Sequence, residues 1–424
     1  MKKHEILLYL FFTTLFFHGF ITNYVDIFSF SSGTMLVDLS FLFTICTIVI
    51  RSFSLESIFI QNNYKYVIYS FICLALLSVV KIILDTNNIE EKIFGYRNSI
   101  AYISIFLIIN IIIRREKDKE RLLNYIILLG TLMCLFAIMQ FVFFDYLPDS
   151  LKSVKEEVVF TLENANLIRV NGLIGNSIEF SGFTLIIFAL SFVKFYYNKT
   201  LFNFIVVLIC ITANILSFSR VAVLGLLLIA ISEYIVINNF KLKHITYILI
   251  VLGMLVMMGL GAFTLISSSN NFFLDWITAE DSTTSGSNLV HFMMIDNAIN
   301  YISENPWGGV GVGSQGPSSR KDNLIISDGF WLQFMLEFGI PLFGIYIIYS
   351  VLCIRCIYRL HQIRSSIETT AFISLTVYFM FANIINSTYI GKVNQVLYWT
   401  LFGLATFKCC NSKSTSNNSK NKNI

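Results

Sequence analysis

Residues 178–237, IEFSGFTLIIFALSFVKFYYNKTLFNFIVVLICITANILSFSRVAVLGLLLIAISEYIVI, hold three apolar runs at 178–197, 201–217 and 221–237, parted only by short polar turns. Each has about the 17–25 residues that cross a hydrocarbon core. Outward from this stretch, further runs lie at 6–24, 34–50, 66–84, 98–113, 122–144, 245–266, 329–352, 370–387 and 392–408. The fold class that follows is an all-α polytopic membrane protein with about 12 transmembrane helices. The first run lacks a small-residue cleavage site before the next polar turn and reads as an uncleaved span.

Composition agrees. Hydrophobic residues make up 56% of the 424 residues and charged residues only 13%, against about 25% charged in soluble domains. The net charge of +4 needs no nucleic acid, because the basic residues sit in turns between apolar runs. The organisation expected is one transmembrane domain over 1–410, with outer loops at 145–177 and 267–327. A disordered cytoplasmic tail of Asn, Ser and Lys follows over 411–424.

Charge also sets the orientation. One set of connections, including Arg51, Lys65, the run Arg114–Arg121, Lys194, Lys199 and the tail, carries 20 of the 30 Lys and Arg. The opposite set is richer in carboxylates, among them Glu90, Glu91, Glu156, Glu157, Glu163, Glu280 and Asp281. Excess Lys and Arg mark the cytoplasmic side, which puts both termini inside and both large loops outside. No Cys falls in an outer loop, so no disulfide framework is expected there. The CxxC at Cys353 and Cys356 has no second Cys pair or His cluster beside it and reads as span filling, not as a metal site.

The unusual polar residues gather on the outer side. Arg169 stands in RVNGLIGNSIEFSG, with Gly172 in a tight-turn position, and Arg220 in SFSRVAVLG. A guanidinium at a membrane edge is costly unless it meets an anion, and its planar fork suits phosphate oxygens. Snorkelling to headgroups is the plainer reading. In the second loop, His291 lies in an amphipathic stretch that Pro306 ends, followed by GGVGVGSQG with Gly309, Gly311 and Gly313. That run lacks the Lys-Ser/Thr of a nucleotide-binding loop. Its glycines allow close backbone approach beside a substrate, or simply turn the chain back to the membrane. The carboxylate candidates are Glu179, Asp328 and Glu337; for Glu337 the alternative is a buried helix–helix hydrogen bond.

RVNGLIGNSIEFSG, SFSRVAVLG, the helix leading into NPWGGVGVG, and SDGFWLQFMLEFGIPLFG follow one another in an order that resembles the O-antigen ligase and polymerase superfamily over about 160–350. The resemblance implies a fold like the GT-C type of those enzymes and a metal-independent glycosyltransferase without a cofactor. Its substrates would be undecaprenyl-diphosphate-linked oligosaccharides, as donor and acceptor, at the periplasmic face of the bacterial inner membrane. It implies contact of Arg169 and Arg220 with the lipid-linked diphosphate. Membrane lipids, and a chain-length regulator in addition, are the other partners it suggests.

Two departures bear on the reaction. Many relatives carry an Arg in the surface helix where this chain has His291. Ligases place a His in the segment matching Ile325–Leu332, which here reads IISDGFWL. The second departure favours polymerisation of repeat units over ligation to lipid A-core. In that reaction His291, with Glu179, Asp328 and Glu337, supplies the candidates for proton transfer or diphosphate binding. A lipid-linked oligosaccharide flippase is the reading from another class. It would need ionisable residues through a central cavity, and Asp38, His18, Lys81 and Glu337 are few.

Overall fold

The computed structural model describes residues 3–25, 62–113, 115–148, 151, 159–162, 165–239, 282–315, 329–385, 388–389 and 391–407. Among them the helices are α1 (Lys3–Phe16), α2 (His18–Val25), α3 (Asn62–Leu84), α4 (Ile89–Ser99), α5 (Ile105–Ile112) and α6 (Glu116–Val142). The order continues with α7 (Ser177–Tyr197), α8 (Leu201–Leu216), α9 (Arg220–Ile237), α10 (Ser282–Glu304), α11 (Phe330–Ile363), α12 (Ile367–Ile385) and α13 (Lys392–Thr406). The connection before α7 also holds a short antiparallel strand pair, β1 (Val159–Leu162) with β2 (Ala165–Ile168), in an otherwise all-α architecture.

The count of about 12 transmembrane helices is corrected. Among the described residues six helices are long and apolar enough to cross a membrane, or seven if α4 and the helix after it, bent by 43°, form one span. The difference is one of geometry, because an apolar run need not be one straight helix of sufficient length. Run 6–24 divides at Phe17 into α1 and α2. Run 98–113 begins within α4 and continues past the bend into α5. Helices α8 and α13 have 16 and 15 residues, which at 1.5 Å rise reach only about 24 Å of a core about 30 Å thick. The runs 34–50 and 245–266, parts of the stretches 145–177 and 267–327, and the tail lie outside the described residues.

The short α13 is the centre of the bundle. Val393 through Leu404 are all buried, the polar Asn394, Gln395 and Thr400 among them. Gly403 lets its backbone approach Phe106 and Ile109 of α5, the small-residue contact by which membrane helices come close. Phe106, Phe372, Trp399 and Phe402 form an aromatic cluster around it. Asn110 ties three helices, donating to the Tyr64 hydroxyl at 2.7 Å and the Thr406 hydroxyl at 3.1 Å. By contrast α3 exposes Tyr66, Tyr69, Leu76, Ile83 and Leu84 along one side. So extensive an apolar surface suits lipid and not water.

At one end of the bundle, Lys119 of α6 pairs with Glu368 of α12, and both side chains are buried. Glu116 joins them, 3.0 Å from Lys119 and 2.7 Å from Arg364. Removing one member of a buried pair leaves a charge unsatisfied, at a cost of about 3–5 kcal/mol, whereas replacing both with apolar groups is often neutral. Lys119→Ala is therefore expected to destabilise the protein by about 3–5 kcal/mol, and Lys119→Met with Glu368→Leu to recover most of that loss. Denaturant unfolding in detergent measures both; equal losses in single and double variants would contradict the pairing.

Candidate functional site

The end of the bundle away from Lys119 gathers the starts of α7, α9, α11 and α13. Helix α11 is broken there. Gly339 has φ 81° and ψ 166°, and Pro341 follows. Proline cannot donate a helical hydrogen bond, so the break exposes backbone groups. The segment after α10 fills the gap: Ile340 N–H donates to the Pro306 carbonyl at 2.9 Å, and Val310 N–H to that of Leu336 at 2.6 Å.

Glu337, on the turn before the break, is 0% exposed, so its carboxylate must be satisfied by protein. Gln333 reaches one oxygen at 3.3 Å and Ser99 the other at 3.5 Å. The backbone N–H groups of Gly313 and Gln315 also donate to it. Glu337 thus anchors the glycine loop from beneath.

A second carboxylate holds the same loop from the side. Asp85 accepts from Val312 N–H at 2.7 Å and from Asn87 N–H at 3.0 Å, and lies 3.3 Å from Lys81. The Asn87 amide returns a bond to the Val312 carbonyl at 3.1 Å. Burial by itself pushes the Asp85 carboxyl up, but the two N–H donors and Lys81 outweigh it and hold it below the usual value. Gly313 has φ 80°, and a Cβ there would collide with the backbone of Glu91. The glycines at 309, 311 and 313, all at positive φ, serve close approach of the loop to α11, to the Asp85–Asn87 turn and to α4 in that order.

Arg169 leads into the loop before α7, and its Nε donates to the Ser217 carbonyl at 2.9 Å. Val170 N–H bonds the Leu216 carbonyl beside it at 3.3 Å. Arg220 opens α9 three residues after Ser217. The structure therefore brings Arg169 to the turn that carries Arg220. Gln140 of α6 supports this loop, accepting from Gly172 N–H at 3.0 Å.

Glu179 lies in the first turn of α7, where Asn176 caps the helix with bonds to Ile178 and Glu179 N–H at 2.8 and 3.1 Å. Its carboxylate accepts from Val393 N–H at 3.1 Å and packs against Gly391, at the start of α13. A carboxylate suits that positive helix end. His291 is on α10; Asp328 lies outside the described residues. Sequence reading missed Asp85, Asn87, Ser99 and Gln333, and also Lys392, which stands 3.3 Å from His18 and next to Val393, whose N–H Glu179 holds. The Asp-Thr-Asn-Asn turn at 85–88 was the one local signal. Among the described residues no group of three His, Cys, Asp or Glu could hold a metal ion.

Residues 205–347 match the family model described as O-antigen ligase. The match covers about a third of the chain and runs from α8 into α11, taking in Arg220, α10, the glycine loop and Glu337. It does not separate polymerases from ligases. No curated protein matches the chain.

The Asp85 clamp gives a pH dependence of definite sign. A carboxyl held below its unfolded value near 3.9 contributes stability above that pH and loses it as pH falls through the folded value. Protection of the Val312 amide in hydrogen exchange is expected to hold at pH 7 and to fall below about pH 4. Asp85→Asn should lower it several-fold already at pH 7. Protection unchanged by the substitution would contradict the clamp.

Proposed function

We propose that the chain is a metal-independent membrane glycosyltransferase that polymerises undecaprenyl-diphosphate-linked oligosaccharide repeat units into O-antigen or capsular polysaccharide. The reaction takes place at the outer face of the bacterial inner membrane. The observation that carries the reading is the meeting of Arg169 with the turn bearing Arg220, inside or beside the stretch that matches the O-antigen ligase family. Two guanidinium groups at a membrane edge suit a lipid diphosphate.

In the proposed reaction an acceptor hydroxyl oxygen forms a bond to the anomeric carbon of the donor's reducing-end sugar. The bond from that carbon to the diphosphate breaks, and undecaprenyl diphosphate leaves with the electron pair. Arg169 and Arg220 stabilise the charge that develops on it. The hydroxyl proton passes to a base of the outer region, for which His291 and Asp328 are the candidates. Glu337 and Glu179 already hold backbone N–H groups, so we assign them to positioning the glycine loop and α13.

Ligation of finished polymer to lipid A-core is the second reading, favoured by the description of the matched family. The absence of a His over Ile325–Leu332 favours polymerisation.

Two measurements test this proposal. Arg169→Ala and Arg220→Ala are each expected to reduce glycan extension at least 100-fold at unchanged protein level, with Lys restoring little because it offers a point charge and not a fork. Full activity of both Ala variants on lipid-linked repeat units would sink the diphosphate clamp. For orientation, cysteine at exposed Tyr146, beyond the end of α6, should react with an impermeant thiol reagent from outside. Cysteine at exposed Lys117, at the other end of α6, should not. The reverse pattern would overturn the outward site.

A further inference from the structure

Helix α9 carries a second charged residue that plays no part in the site described above. Glu233 follows Arg220 at a distance of about 20 Å along the helix and stands one turn before its end at Ile237. It is 0% exposed. Its Oε1 accepts from the Ser374 hydroxyl of α12 at 3.0 Å. Its Oε2 is sealed from solvent and has no hydrogen-bond partner. An ionisable side chain inside a membrane-spanning helix is costly and requires a partner.

The basic groups at this end of the bundle are engaged elsewhere. Nε2 of His361 donates to the Val236 carbonyl and Nδ1 meets the Thr369 hydroxyl, each at 3.2 Å. Lys119 is held by Glu116 and Glu368, and Arg364 by Glu116. Among the described residues no ion pair reaches the Glu233 carboxylate.

The register of α9 on α12 supplies a second unsatisfied group. Gly225 of α9 faces Tyr378 of α12, where an added Cβ would lie 2.6 Å from the ring. Further along α9, Glu233 meets the earlier residue Ser374, so the two helices run antiparallel. Equal steps from the Gly225–Tyr378 contact, forward on α9 and back on α12, bring Glu233 level with Thr370. Thr370 is also one turn before Ser374, on the same face of α12. It is fully buried, and its Oγ1 has no hydrogen-bond partner.

A guest that satisfies both oxygens must bring charge as well as ligation. A proton on Oε2 would neutralise the carboxylate and leave Thr370 as it is, because neither oxygen finds the other as a hydrogen-bond partner. A water could bridge them, but the negative charge would stay unpaired. A hard cation does both, since its ligands are oxygens. The Ser374 oxygen, whose proton is directed at Glu233, keeps lone pairs for it. One carboxylate balances one positive charge, and among the described residues no group of acids could hold a metal ion by itself. Between fully buried neighbours such as Ile229 and Ala371, sodium fits better than the larger potassium.

We propose that Glu233, Thr370 and Ser374 form a site for one sodium ion between α9 and α12. The ion touches no reacting group; it ties to α12 the helix whose other end places Arg220. The inference does not depend on which acceptor the chain glycosylates.

Equilibrium binding of radioactive sodium to the full chain in phosphatidylcholine nanodiscs, in choline chloride buffer, tests this. The wild type is expected to bind one equivalent saturably. Glu233→Gln, which removes the charge and keeps the shape, should bind none. Thr370→Val, which keeps the carboxylate, should bind more weakly by roughly tenfold or more. Thermal unfolding in detergent at constant ionic strength gives a second readout and reports folding of each variant. Sodium in place of choline should raise the wild-type Tm by several degrees and leave that of Glu233→Gln unchanged. No saturable binding by the wild type, an equivalent retained by Glu233→Gln, or full affinity in Thr370→Val overturns the site. So does a Tm that responds equally in wild type and Glu233→Gln, or in neither, since the carboxyl would then hold a proton in place of a metal.

Discussion

A carboxylate sealed from solvent must find its hydrogen bonds within the fold, and at Glu337 that requirement joins three distant parts of the chain. Ser99 comes from α4, Gln333 from α11 itself, and the N–H groups of Gly313 and Gln315 from the glycine loop. Loss of any donor would leave part of a buried charge unsatisfied. The loop, the break in α11 and the bent α4 are therefore set together. Asp85 repeats the device from the membrane edge with the Val312 N–H.

This constraint sits beside the basic residues, not among them. Arg169 and Arg220 are placed by the turn between α8 and α9, and Lys392 by the start of α13 against Glu179. Helix α7 links the two, because it packs on α8, α9 and α13 alike. The polar end of the bundle thus has a rigid floor of satisfied carboxylates and a rim of cations.

Much of this was legible in the sequence. The apolar runs gave the membrane class, the glycines at 309, 311 and 313 marked a special backbone, and Arg169 and Arg220 stood out as cations against the charge bias. Three things were hidden. Hydropathy reports apolarity and not helix length, so a run broken at Phe17 or completed only by the bent α4 still counted as a span. Helix α4 was hidden because Glu90, Glu91, Lys92 and Arg97 make it read as a connection. The bond from Asp85 to Val312 crosses 227 positions, and no periodicity in one sequence reveals such a partner. His18 and Lys392 were hidden for the same reason: each is unremarkable until the fold puts them 3.3 Å apart.

The central claim is that the outer end of this bundle joins one lipid-linked repeat unit to another. The most direct measurement gives the purified protein a single substrate, undecaprenyl-diphosphate-linked repeat units, and resolves the products by gel. The account predicts a ladder of lengthening glycans from that substrate alone, with release of undecaprenyl diphosphate. No product until lipid A-core is added, followed by its glycosylation, would contradict it.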